Sequence, residues 1–78
     1  TRWASCSSRH TVSLNRNLLF LPDYLVRQVF LHELCHTTHL NHSARFWRLV
    51  ERLEPNYKGL EAELKQANGY VPAWALPQ

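Results

Sequence analysis

Two histidines and a glutamate near the middle of the 78-residue chain have the types and spacing that bind a metal ion. His32 and His36 are four residues apart, so on an α-helix their side chains lie on the same face, one turn apart. Glu33 directly follows the first histidine and can reach a water molecule held by the ion. This His-Glu-x-x-His pattern is typical of zinc peptidases, in which the glutamate serves as general base and acid.

A third ligand is needed, because catalytic zinc takes three protein ligands and leaves a fourth position for water. His42 follows His36 by six residues, in the turn expected after the helix, and that turn can bring it back toward the ion. We therefore predict one zinc ion with His42 as the third ligand. His39, which lies on a flank of the same helix, and Glu51 or Glu54 on the next helix remain the alternatives.

Hydrophobic periodicity predicts three helices around this motif. The first spans about residues 22–39, with Pro22 in its first turn and Asp23 at the positive end of its dipole. Apolar residues cover more than one face of it, so we expect it to be largely buried. The second helix spans 44–53, with Asn41 or Ser43 as its cap, and the third spans about 57–67.

Short strands are predicted before the helices, at 2–4 and 11–15. The segment 11–15 is our expected edge strand, where an extended peptide substrate would add as a further strand. The residues 69–78 contain two prolines and are expected to form an extended tail. We expect this tail to dock behind the helices, the alternative being that it occludes the cleft.

Length and composition indicate a single domain over residues 1–78, with 45% hydrophobic residues and no apolar run long enough for a membrane span. The chain contains no methionine, so we expect it to be processed or to be a piece of a longer protein. Cys6 and Cys35 are too few for a disulfide scaffold and are expected to be reduced thiols of a cytoplasmic protein; a bridge between them is the alternative.

The net charge of +3 is mild and gives little support to a nucleic-acid partner. Arg45, Arg48 and Arg52 recur at helical spacing and predict a basic stripe. A solvated helix face explains such a stripe, and no aromatic residues interleave with it to indicate contact with bases.

Several ordered segments together resemble the YgjP-like metallopeptidase family, which is related to the WLM and SprT/Spartan-type zinc peptidases. They are residues 2–7, 12–15, 32–36, 41–43 and 46–47, and the resemblance covers about residues 2–57. It implies an α+β, minimal zincin-like domain, with a β-hairpin or sheet remnant packed on the HExxH helix and two further helices behind it. It also implies that the histidine of the Asn-His-Ser segment, His42, is the third ligand. Strands that precede this region in the family have no counterpart in this sequence.

The function expected from these observations is a zinc metallopeptidase that acts on a peptide or protein substrate, with Glu33 as general base and acid. Arg2, His10 and Tyr57 are the candidates for contacting the substrate or its oxyanion. A metal-binding module without catalysis is one alternative. The kinship with SprT/Spartan-type enzymes adds a second, a DNA-associated repair protease. We expect no membrane association, and the sequence leaves the oligomeric state open.

Overall fold

A β-hairpin opens the computed structural model, which describes residues 3–9 and 11–75. Strand β1 (Ala4–Cys6) pairs antiparallel with β2 (Val12–Leu14). The turn between them is held by Ser7, whose hydroxyl accepts hydrogen bonds from the backbone N–H groups of Arg9 and Thr11, both at 3.2 Å. The first strand therefore starts and ends later than the predicted 2–4, because its register with β2 draws Ser5 and Cys6 into the sheet.

Three α-helices follow the hairpin: α1 (Asp23–Thr38), α2 (Ala44–Leu53) and α3 (Tyr57–Lys65). All three lie within one or two residues of their predicted bounds. The Ser43 hydroxyl caps α2 by accepting a hydrogen bond from the Phe46 N–H. Of the two predicted caps, Asn41 and Ser43, the structure therefore has Ser43. In the described part of the chain, none of these helices has the length and apolar character needed to cross a lipid bilayer.

Two hydrophobic clusters hold the helices together. The larger one contains Trp3, Leu18, Leu21, Leu25, Val29, Leu60, Leu64, Ala67, Val71 and Ala75. Its Trp3 indole also donates a 3.2 Å hydrogen bond to the Leu64 carbonyl, which ties the hairpin to α3. The smaller cluster consists of Cys35, Phe46 and Val50, with Trp47, Leu49 and Tyr57 packed against it. The α1 helix contributes to both clusters and is the element on which they meet.

The expectation that α1 is largely buried is wrong for one of its faces. Phe30 is 43% exposed and Leu34 is 62% exposed, whereas Leu25 and Val29 are buried. The reason is that α2, α3 and β1 contact the helix elsewhere, and none of the described elements covers the Phe30 face. Val12 and Leu14 of β2 border the same apolar hollow.

The tail is also not extended, in contrast to the prediction for residues 69–78. It forms two short 3-10 helices, Ala67–Tyr70 and Ala73–Ala75, and residues 76–78 lie outside the described part of the chain. Val71 and Ala75 are buried in the larger cluster, and the Asn17 side-chain amide donates a hydrogen bond to the Ala75 carbonyl at 3.3 Å. The tail therefore packs on the larger cluster in short turns and not as an extended segment.

Candidate metal centre

Three imidazole rings converge where the end of α1 meets the turn that leads into α2. His32 and His36 project from α1, and His42 reaches them from the turn. The Nε2 atom of His42 lies 3.1 Å from Nε2 of His32 and 2.9 Å from Nε2 of His36. Tetrahedral zinc with nitrogen ligands at about 2.0–2.1 Å separates those nitrogens by about 3.3 Å. The three side chains thus have the spacing of one shared metal ion.

The other ring nitrogens of the two helical histidines are directed at hydrogen-bond acceptors. Nδ1 of His36 lies 3.1 Å from the backbone oxygen of His39, which can only accept a hydrogen bond. Nδ1 of His32 lies 3.1 and 3.3 Å from the two carboxylate oxygens of Glu61 on α3. Both rings therefore carry their proton on Nδ1 and turn the lone pair of Nε2 toward His42, as a metal ligand requires.

Phe46 forms the floor of this centre. It is fully buried, and its ring stacks on His36 with centroids 4.5 Å apart, while the rings of His32 and His42 lie 5.0 Å away. Trp47 stacks on the outer side of His42 at 5.8 Å. The Ser43 cap starts α2 at the register that brings both aromatic residues under the histidines, so a local capping rule contributes to the geometry of the site.

Glu33 lies beside the histidines in a buried position. It is 6% exposed, and its Oε2 atom has no hydrogen-bond partner among the described residues. A buried carboxylate oxygen without a partner is costly unless a ligand or water satisfies it. Glu33 and His32 line a cavity of about 190 Å³ whose other walls are Trp3, Ala4, Val29, Glu61, Leu64 and Lys65. The Glu33 side chain thus borders a cavity large enough for water or a substrate group.

The electrostatic environment keeps the third histidine neutral. Burial, together with the neighbouring His36 and His32, lowers the pKa of His42 from its usual value near 6.5, so at neutral pH its nitrogen is available as a ligand. For Glu61, burial alone would raise the pKa. Hydrogen bonds from His32 and Gln28 outweigh that effect and lower it, so the carboxylate is ionised.

The predicted alternatives for the third ligand lie outside the three-histidine group. Within the described residues, only His32, His36 and His42 form a group of this kind, so the side chains of His39, Glu51 and Glu54 are not members of it. His39 contributes through its backbone oxygen instead.

Of the three residues predicted to contact the substrate, one lies in the described part of the chain. Arg2 and His10 fall outside the described residues. Tyr57 stacks on Trp47 with ring centroids 5.6 Å apart and does not line the cavity at Glu33. Its role toward an oxyanion stays a prediction.

Both strands of the hairpin border a hollow that Glu33 lines, so the role of the segment 11–15 as edge strand stays a prediction. Ala4, the first residue of β1, lines the cavity together with His32 and Glu33. In the segment expected to serve as edge strand, 11–15, Val12 and Leu14 line a second hollow, which Glu33 shares with Phe30 and Leu34.

Two residues of the site, Gln28 and Glu61, were not predicted from the sequence. Glu61 lies 25 residues after His36, on a helix whose position depends on the turn after α2. Gln28 is 2% exposed and precedes His32 by one helical turn. In the sequence, the one local indication of a polar partner nearby is a glutamine on the ligand-bearing face of the helix, because a buried amide requires a hydrogen-bond partner.

Comparison with known proteins agrees with the geometry. Residues 1–67 match the family described as YgjP-like, metallopeptidase domain, which confirms the resemblance seen in the separate motifs. Neither curated proteins nor solved structures give a significant match. The family match extends over the hairpin, the His-Glu-x-x-His motif and all three α-helices. The chain therefore belongs to the YgjP-like metallopeptidase family.

Proposed function

We propose that this protein is a zinc-dependent peptidase in which His32, His36 and His42 hold the ion. The observation that supports this most strongly is the convergence of three Nε2 atoms at a helix that also carries Glu33, whose buried Oε2 has no partner among the described residues. Three neutral nitrogen donors are a ligand set that zinc accepts readily, and three protein ligands leave a coordination position open for catalysis.

Glu33 is the proposed general base and acid. Bound zinc would supply a Lewis acid that makes a water molecule nucleophilic near neutral pH and polarises the scissile carbonyl. Glu33 would hold the proton released by the attacking water and pass it to the leaving amine. Removal of a positioned acid–base group of this kind slows catalysis by about 10²–10⁴-fold.

The proposed substrate is an extended peptide or unfolded protein segment. Among the described residues, β1 pairs with β2 on one side only, so its other edge can accept a further strand. Half of the residues that line the cavity between β1 and α3 are apolar, and its charged members are Glu33, Glu61 and Lys65. A substrate strand along β1 would therefore pass the cavity and bring its backbone near Glu33.

The test is a comparison of Glu33→Gln with the wild type and with Glu51→Gln, which changes an exposed glutamate of α2. Zinc content is measured by elemental analysis, and cleavage is measured on an unfolded protein. We expect one zinc per chain in all three proteins, and loss of cleavage in Glu33→Gln alone. Equal cleavage by Glu33→Gln would refute the mechanism. Zinc binding without cleavage by the wild type would instead indicate the metal-binding module without catalysis.

A nucleic-acid role stays a prediction, and no contact among residues 3–9 and 11–75 favours it. Arg45, Arg48 and Arg52 are all exposed on α2, as a solvated face requires. Binding to single-stranded DNA at moderate salt would support the repair-protease alternative. As part of the proposal we place the protein in the cytoplasm, because Cys6 and Cys35 are both free thiols and free thiols persist in reducing compartments.

A further inference from the structure

A carboxylate on α3 contacts the edge of the His32 ring that faces away from the other two histidines. The oxygens of Glu61 lie 3.1 and 3.3 Å from Nδ1 of His32. Both side chains are only 20% exposed, so water competes weakly for this contact. Nε2 of the same ring lies 3.1 Å from Nε2 of His42. The ring therefore connects Glu61 to the metal centre.

This contact determines which nitrogen of His32 carries the proton. A neutral imidazole has one N–H and one lone pair, and an ionised carboxylate can only accept hydrogen bonds. Nδ1 must therefore be the donor to Glu61, and Nε2 keeps its lone pair. The lone pair is then directed into the three-histidine centre before any ion arrives.

Glu61 is itself held in place by a buried amide. The Nε2 group of Gln28 donates a hydrogen bond to Oε2 of Glu61 at 2.7 Å, and Gln28 is 2% exposed. Gln28 and His32 are four residues apart, so they contact the same carboxylate from successive turns of α1. The carboxylate is thereby fixed against α1 at two points.

We propose that Glu61 is a positioning residue for His32, with Gln28 as its anchor, and that it strengthens zinc binding at the three-histidine site. A carboxylate behind a ligand histidine orients the ring and makes it a stronger donor. Glu61 does not act as a fourth ligand, because its oxygens lie on the Nδ1 side of the ring. This inference rests on the proposed metal site and does not depend on peptide cleavage.

The test measures zinc dissociation constants by competition with a chromophoric chelator. We expect Glu61→Ala to bind zinc about 10–100-fold more weakly than the wild type. Glu61→Gln should lose less, because its amide oxygen can still accept from Nδ1 of His32. The matched control is Glu63→Ala on the same helix, whose carboxylate contacts Tyr24 and not a histidine; it should bind zinc as the wild type does.

A second readout separates positioning from a general loss of stability. Nitrogen-15 NMR of the zinc-free protein reports which ring nitrogen of His32 is protonated. We expect the Nδ1–H form in the wild type and a mixture of the two forms in Glu61→Ala. A residue that only stabilised the fold would lower the unfolding temperature without changing the tautomer of a folded sample.

The proposal is overturned if both Glu61 variants bind zinc within twofold of the wild type, or if the His32 tautomer is the same in Glu61→Ala. Absence of zinc binding by the wild type would overturn the metal site and this role together. If zinc binding weakens as expected but no protein is cleaved, the role of Glu61 stands and only the peptidase proposal fails.

Discussion

Truncation of Phe46 to alanine tests whether the metal centre depends on the small hydrophobic cluster beneath it. Phe46 is fully buried and packs against His32, His36, His42 and Trp47. Replacing a buried phenylalanine by alanine costs about 3–5 kcal/mol of unfolding free energy. The stability of a 78-residue domain is itself only about 4–12 kcal/mol. The change therefore removes a large fraction of the total.

The thermal consequence is large enough to measure without ambiguity. In a domain of this size, 1 kcal/mol corresponds to a shift in Tm of about 4–8 °C. Phe46→Ala should therefore melt at least about 12 °C below the wild type, as followed by circular dichroism in the presence of a chelator. Added zinc binds the folded form and should raise Tm. Zinc should not restore the Tm of the wild type, because the buried ring that packs against the three histidines has been removed.

Leu53→Ala is the matched control for this experiment. Leu53 belongs to the same helix but is 58% exposed, and surface substitutions usually change stability by no more than about 0.5 kcal/mol. Its Tm should stay within about 4 °C of the wild type. A zinc-free Phe46→Ala protein that melted in the same narrow range would refute the view that Phe46 supports the fold of the site.

Three further predictions concern the same region of the molecule. His42→Ala should greatly weaken zinc binding, whereas His39→Ala should retain it, because His39 contacts the site through its backbone. Equal zinc affinity of the two variants in chelator competition would reject His42 as a ligand. Burial raises the pKa of Cys35, which is 1% exposed, so a thiol reagent should modify Cys6 quickly and Cys35 only on unfolding; equal rates for both thiols would contradict the fold. The folded-state pKa of His42 lies below its unfolded value near 6.5, so the zinc-free protein should lose stability as the pH falls through and below 6.5. In urea titrations, His42→Gln should lose less stability over this range than the wild type. The same pH dependence of stability in both proteins would count against this assignment.

The location of the site in the smaller cluster has a consequence for how metal binding and folding are linked. Phe46 and Val50 come from α2, and Cys35 comes from α1. Glu61 on α3 contacts His32 from the other side. An ion held by the three histidines would therefore stabilise the packing of all three helices, since a ligand that binds only the folded state shifts the equilibrium toward it.

Local rules were sufficient for much of the fold. Pro22 and Asp23 mark the start of α1, and the Ser43 hydroxyl marks the start of α2, because capping depends on residues within one turn of each other. The grouping of His32 with His36 follows from helical spacing alone. The convergence of His42 on these two residues was also expected, since His42 follows His36 by six residues and a short turn can bring its ring back toward the helix.

Features that depend on contacts between distant segments could not be obtained in this way. The tail was expected to be extended because of its prolines, yet Val71 and Ala75 turn into a core that is built mainly from residues before position 65. The first strand was predicted too early, because its bounds depend on its register with β2 and not on its own composition.

The sequence by itself determined the chemistry of the centre: three histidines and a glutamate at spacings that a helix and one turn bring together. Tertiary structure alone decided what surrounds it. Packing between α1 and α3 places Glu61 behind His32, and packing of the hairpin on α1 brings residues of both β1 and β2 to hollows that Glu33 lines. The physical reason is the range of the interactions. Helical periodicity acts over a few residues, whereas the packing of α3 and the hairpin on α1 depends on burying apolar side chains far apart in the chain.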